Sequence, residues 1–164
     1  MANEIITQDY LHKIFEYRDG NFYWKVKLAN RTKIGDKVGS LNCHGYIHIG
    51  INGKLYQGHR LIFLYHYGYL PQYLDHINGI KNDNQIENLR KVTKAQNFWN
   101  TPKPKNNKSG CKNVSWHKSS KKWRVQIGVN SEKKVLGYFN DLELADLVAQ
   151  EARRKYHTVY ASHK

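Results

Sequence analysis

The sequence predicts an α+β protein in which a small strand-turn-strand-helix unit precedes a three-stranded antiparallel sheet backed by one helix. Three observations carry this prediction. An Asp-His pair at 75–76 precedes an Asn-Gly turn signal at 78–79. Apolar and polar residues alternate over 123–129, and apolar residues recur at helical spacing over 142–156. Together they predict two small folding units joined by a linker.

The charge of the chain indicates a polyanionic partner. Its 164 residues carry a formal net charge of +14, and residues 100–164 hold 14 basic against 5 acidic side chains. Such an excess most often indicates nucleic acid, and the charge alone permits RNA as well as double-stranded DNA. No long apolar run and no leader at 1–7 is visible, so we expect a cytoplasmic protein without a membrane span. Cys43 and Cys111 lack the paired spacing of a zinc module, and no disulfide framework is expected.

Residues 1–58 form a leader region of mixed helix and strand. Apolar side chains at 10, 11, 14 and 15 predict an opening helix, and alternation over 22–26 and 46–51 favours strands. Five basic side chains here either contact DNA phosphates or solvate an exposed sheet, and we prefer the first interpretation. They are Lys25, Lys27, Arg31, Lys33 and Lys37.

The central segment, 59–100, carries residues suited to metal chemistry. Residues 59–69 have the apolar spacing of a buried helix, and 93–100 read as a second helix that Thr93 can cap. Asp75 and Asn97 offer carboxylate and amide oxygens, which hard divalent ions prefer. The adjacent His76 can accept a proton near neutral pH. The pattern predicts a one-ion site for phosphodiester hydrolysis, although an isolated Asp-His pair also occurs as a capping aspartate beside an incidental histidine.

This segment resembles the HNH nuclease family of phage and intron-encoded proteins, in which HRL opens the helix, DH and NG follow, and NLR precedes a final Asn. The resemblance implies a ββα-metal core in which Asp75 and Asn97 bind one Mg²⁺ or Mn²⁺ ion. It also implies that His76 is the general base and that Asn88 braces the loop. GNFYWK, GDKVGSL and GYIHI in the leader resemble the corresponding region of free-standing phage HNH proteins.

Residues 101–109, TPKPKNNKS, predict an extended basic linker. Two prolines and the absence of periodic apolar residues mean that this segment cannot bury a face. Lys103, Lys105 and Lys108 either stay solvated in a spacer or lie along the phosphate backbone of DNA.

Residues 110–164 predict a small sheet and its backing helix. Alternation predicts strands over 113–117, 123–129 and 133–139, and either Asn140 or Asp141 can cap the helix that follows. Trp116 and Trp123 share strand parity with buried valines, which favours core packing over stacking on nucleic acid. The opposite face of the sheet is left open, basic and suited to the DNA major groove.

Residues 109–157 resemble the DNA-binding domain of plant ethylene-response factors, the APETALA family. The resemblance implies that strand side chains contact DNA. The matching positions are Lys112, Ser115, His117, Arg124, Gln126, Lys133 and Tyr138.

These patterns predict a homing-type HNH endonuclease whose C-terminal sheet places the central unit on DNA. One site per chain predicts nicking by a monomer, or double-strand cutting if two chains pair on DNA. No redox or nucleotide cofactor is implied. The alternative from another class is a DNA-binding regulator that keeps a silent nuclease fold.

Overall fold

The computed structural model of the chain describes residues 6–29, 32–100, 103, 106–129 and 132–160. The chain divides into two compact units, Met1–Lys91 and Val92–Lys164. Over the described ranges, every helix is too short or too polar to cross a lipid bilayer.

The first unit combines helices with small sheets. Its strands pair as β1 with β2, as β3-β4-β5 and as β6 with β7. The elements are α1 (Gln8–Ile14), β1 (Phe15–Arg18), β2 (Asn21–Trp24), β3 (Ser40–Leu41), β4 (Ile47–Ile51), β5 (Lys54–Gln57), α2 (Gly58–Tyr67), β6 (Tyr73–His76), a 3₁₀ turn (Ile86–Asn88) and β7 (Leu89–Val92).

The opening helix is shorter than the sequence predicts. Thr7 caps it by accepting a hydrogen bond from the backbone N–H of Tyr10 at 3.2 Å. Phe15 then adopts extended backbone angles and begins β1 instead of closing the helix. A tight turn at Asp19 and Gly20, both with positive φ, returns the chain as β2. Phe15 thus has the spacing of a buried helix residue although it belongs to strand β1.

One hydrophobic core joins the leader region to the helix of the central segment. Leu11, Phe22 and Ile49 come from before residue 58, and Leu61 and Leu89 come from after it. All five side chains are buried. The leader and helix α2 thus share one packed core.

The second unit contains the predicted three-stranded sheet in the order β10-β9-β8, with antiparallel pairing. Val114, Val125, Ala145 and Ala149 form the buried core between the sheet and its helix. Asp141 caps that helix by accepting from the backbone N–H of Leu144 at 2.7 Å. The elements are α3 (Lys94–Trp99), β8 (Val114–His117), β9 (Lys122–Val129), β10 (Glu132–Phe139), α4 (Leu142–His157) and a 3₁₀ turn (Thr158–Tyr160).

One expectation for this unit differs from the structure. Trp116 is 49% exposed, so the prediction that it packs in the core is wrong, whereas Trp123 does pack against the core. The reason is that β8 is an edge strand, where the indole of Trp116 meets Trp123 on one side and solvent on the other. The division between the two units falls before α3. Residues 101, 102, 104 and 105 of the predicted linker lie outside the described residues, and the linker stays a prediction.

Candidate active site

Asp75 lies on β6, where its carboxylate is ion-paired with Arg90 of the neighbouring strand β7. Two guanidinium nitrogens of Arg90 donate to Oδ2 of Asp75, Nη2 at 3.0 Å and Nε at 3.2 Å. The side chains are only 11% and 15% exposed for Asp75 and Arg90. Two charge-assisted hydrogen bonds in a mostly buried place hold the carboxylate in one orientation. The sequence pattern included Arg90 in NLR, but no role was assigned to it.

His76 closes β6 and is buried, with 5% of its surface exposed. Its Nε2 forms a 3.0 Å hydrogen bond with Oδ1 of Asn84, which is itself only 2% exposed. The His59 ring lies edge-on at 5.0 Å, and the Tyr46 ring lies at 6.2 Å. The predicted general base is therefore packed in a fixed position. Asn84 was not identified from the sequence, where it is one of several asparagines in a polar loop.

Asn88 crosslinks the loop that follows His76. Its Oδ1 accepts from the backbone N–H of Asn78 at 3.0 Å, and its Nδ2 donates to the carbonyl of Asp83 at 2.7 Å. Between these contacts Gly79 has φ of 73°, a conformation that glycine adopts without steric cost. These hydrogen bonds are what a loop brace requires, and the catalytic assignment of Asn88 stays a prediction.

His59 opens α2 as a buried packing residue, 6% exposed. Burial, and then the nearby His76, Arg60 and His48, lower the pKa of His59 to about 3. Among the described residues its Nδ1 has no hydrogen-bond partner. His59 is therefore neutral at physiological pH and adds no positive charge beside His76.

Asn97, the second predicted metal ligand, lies on α3 with an exposed side chain. A capping box fixes the start of this helix, because Thr93 accepts from the backbone of Gln96 and the Gln96 side chain accepts from Thr93. Asp75 belongs to the first unit and Asn97 to the second, so their sharing of one ion stays a prediction. Within the described ranges, no cluster of three or more His, Cys, Asp or Glu side chains is arranged to hold a metal.

Comparison with known proteins identifies the family. Residues 56–98 match a family model described as HNH endonuclease, and these residues include Asp75, His76, Asn88 and Asn97. Protein 3.8 of Escherichia phage T7 is 33% identical over 91 residues, covering 54% of this chain and 73% of that protein. The chain belongs to the same family as protein 3.8 and carries an HNH endonuclease domain. No solved structure matches the chain.

The HNH domain implies DNA as the substrate. In the second unit, the sheet face that carries most of the predicted DNA contacts is open. Strand pairing places Ser115 and Tyr138 on either side of Arg124, in one row across the sheet. This row faces away from α4, because Val125 on the other parity packs against that helix. The predicted contacts that share this open face are Ser115, His117, Arg124, Gln126, Lys133 and Tyr138.

The other predicted DNA contacts of the HNH protein lie elsewhere. Lys112 is half-buried and donates from Nζ to the backbone carbonyl of Trp99 at 2.8 Å. Burial, and then the charge of Arg153, lower the pKa of Lys112 to about 8. Lys103 and Lys108 are exposed, and Lys103 donates to the carbonyl of Gly110. Lys105 and Arg31 lie outside the described residues.

Proposed function

We propose that this chain is a metal-dependent HNH endonuclease of the homing type, which hydrolyses one phosphodiester bond of double-stranded DNA at each active site. The arrangement of Asp75 and His76 carries the proposal. The two residues are neighbours on β6. Arg90 holds Asp75 and Asn84 holds His76, and all four residues lie within the segment that matches the HNH family. A capping aspartate beside an incidental histidine would not need both side chains to be fixed in this way.

The side-chain types of the predicted ligands suit a hard divalent ion. In this proposal Asp75 and Asn97 hold one Mg²⁺ or Mn²⁺, because carboxylate and amide oxygens are suitable donors and few protein ligands leave room for water and phosphate. When bound, such an ion offsets negative charge on the leaving oxygen. Arg90 contacts Oδ2 of Asp75 and so sets the direction in which the carboxylate points.

His76 supplies the general base. The imidazole takes a proton from a water molecule while the water oxygen forms a bond to phosphorus. The bond from phosphorus to the 3′ oxygen breaks, and that oxygen leaves with the electron pair and gains a proton from solvent. Fixing the ring among Asn84, His59 and Tyr46 limits the orientations that the base can adopt.

The sheet of the second unit positions the nuclease on DNA in this proposal. Its open face carries Arg124, Gln126 and Lys133, and residues 100–164 carry most of the positive charge of the chain. We propose an APETALA-type mode, in which this sheet enters the major groove. One site per chain then gives nicking by a monomer, and paired chains on DNA would cut both strands.

Incubation of supercoiled plasmid with Mg²⁺, and then with EDTA added, tests the proposal. We expect relaxed circles that EDTA prevents, and a loss of about 10²-fold or more in rate for His76→Ala, because a general base contributes about that much. The matched control is His44→Ala, since His44 is an exposed histidine of the same unit. If the wild type makes no relaxed product, the chain has only the DNA-binding role of a regulator. If His76→Ala is as active as the wild type, His76 is not the general base.

A further inference from the structure

Asn84 contacts the Nε2 edge of the buried His76 imidazole. The two residues lie eight positions apart, and the 3.0 Å contact joins Nε2 of His76 to Oδ1 of Asn84. Both side chains are more than nine-tenths buried. Solvent therefore competes little for this hydrogen bond. The donor or acceptor character of the Asn84 atom then decides which nitrogen of the His76 ring carries the proton.

An amide oxygen can only accept a hydrogen bond. With Oδ1 of Asn84 at this distance, Nε2 of His76 must carry the proton of the neutral ring. The lone pair then lies on Nδ1, because a neutral imidazole has one donor nitrogen and one acceptor nitrogen. We infer that Asn84 is a positioning residue that selects the Nε2–H tautomer of His76, so that Nδ1 is the atom that takes the proton from water. This inference rests on the proposed function for its catalytic consequence, but not for the tautomer itself.

The leader region holds Asn84 in place. Gly20, in the β1-β2 turn, has φ of 78°, and a Cβ there would lie 2.8 Å from the backbone N of Gln85 and 3.0 Å from the carbonyl carbon of Asn84. The Tyr17 hydroxyl accepts a 3.0 Å hydrogen bond from the backbone N–H of Ile86. The turn and strand β1 thus press directly on the segment that carries Asn84, which makes the amide a rigid partner.

The loop is also held from its other end. Asp83 accepts at its carbonyl from Nδ2 of Asn88 and, at 3.4 Å through Oδ1, from the backbone N–H of Gln85. The neutral His59 ring lies edge-on to the His76 ring, with centroids 5.0 Å apart. Rotation of the His76 ring by 180° would therefore break the hydrogen bond to Asn84 within a packed surrounding.

The first test measures the tautomer without DNA or metal. Long-range ¹H–¹⁵N spectra of the full chain, with the His76 signals assigned through His76→Gln, should show the proton on Nε2. Asn84→Asp keeps an acceptor oxygen in the same place and should keep this tautomer, whereas Asn84→Leu, of similar shape, should lose it. A proton on Nδ1 in the wild type would overturn the inference, since Asn84 would then act as a donor.

The second test measures plasmid cleavage by the same variants. We expect Asn84→Leu to lower kcat by about tenfold or more with little change in KM, and Asn84→Asp to recover most of the rate. Asn82→Leu is the matched control, because Asn82 is exposed in the same loop. Wild-type kcat in a folded Asn84→Leu protein would overturn the positioning role. If the wild type shows the Nε2–H tautomer and cuts no DNA, the proposed function fails and the tautomer assignment stands.

Discussion

The indole of Trp99, the last residue of α3, stacks on the imidazole of His157 at the end of α4, with ring centroids 4.4 Å apart and planes 8° apart. Lys112 adds a hydrogen bond to the carbonyl of Trp99. The helix that carries Asn97 is therefore fastened to the body of the second unit. The last helix of the HNH segment and the predicted DNA-binding sheet belong to one compact body.

Removal of this stack should destabilise the second unit. We expect Trp99→Ala to lower its free energy of unfolding by about 2 kcal/mol, through lost ring contact and lost burial. Urea unfolding followed by the methyl signals of Val125 measures this. Phe98→Ala is the control, because Phe98 is the adjacent aromatic residue of the same helix and is 75% exposed. Equal losses in the two variants would show that the stack does not hold α3.

The ion pair of Asp75 and Arg90 should contribute to stability because it is nearly buried. Arg90→Gln leaves a mostly buried carboxylate without its cation, and we expect a loss of about 3 kcal/mol in the first unit. Urea unfolding followed by the methyl signals of Ile49 and Ile51 measures the loss. Arg18→Gln removes an exposed pair with Glu16 and should cause no measurable change. A similar midpoint for both variants would contradict the importance of burial.

Buried His59 should make the first unit sensitive to acid. Its pKa is lowered to about 3 in the folded chain, by burial first and then by His76, Arg60 and His48. The unfolded chain binds a proton at this residue as pH falls below about 6.5, while the folded chain does not, so stability is complete above pH 6.5 and declines below it. By pH 4.5 the loss should reach about 3 kcal/mol.

Urea unfolding of the first unit at pH 7.5 and pH 4.5 measures this decline. His59→Gln should show a shallower pH dependence than the wild type, whatever its stability at pH 7.5. His44→Gln, at an exposed site, should behave as the wild type does. An unchanged slope in His59→Gln would mean that other groups cause the acid sensitivity.

The open face of the sheet should dominate DNA affinity. We expect binding of duplex DNA to fall steeply with salt, with a log-log slope of about −0.9 for each phosphate neutralised. Arg124→Ala, at the centre of the row on this face, should weaken binding by about tenfold. Arg154→Ala is the control, because Arg154 is an exposed arginine on α4. Fluorescence anisotropy at several salt concentrations measures both quantities, and a flat salt response or equal effects would refute this assignment of the face.

Local patterns predicted those parts of the fold that local rules decide. The alternation around Val125 and the helical spacing around Ala145 gave β9 and α4, because each element buries one face against the other. Thr93 was correctly predicted as a helix cap, since capping depends on neighbouring residues only. The Asn-Gly signal likewise predicted a turn at Gly79.

The contacts that define the candidate site could not be read from spacing. Arg90 meets Asp75 because two strands pair, and Asn84 meets His76 because a loop folds back over a buried ring. Both contacts depend on tertiary packing, which the spacing of apolar residues along the sequence does not reveal. Trp116 shows the same limit, because strand parity gives the face of a side chain but not whether a helix extends far enough to cover it.

The shared core of the first unit decides whether the HNH domain can fold as an isolated fragment. Leu11, Phe15 and Phe22 are buried against residues of α2 and against Leu89, all of which lie within the stretch that matches the HNH family. A fragment of residues 56–98 alone would lack Leu11, Phe15 and Phe22, and the apolar side chains of α2 and Leu89 would be exposed to solvent. We therefore expect that residues 56–98 do not fold independently, and that a fusion protein carrying the HNH domain must also include the leader region.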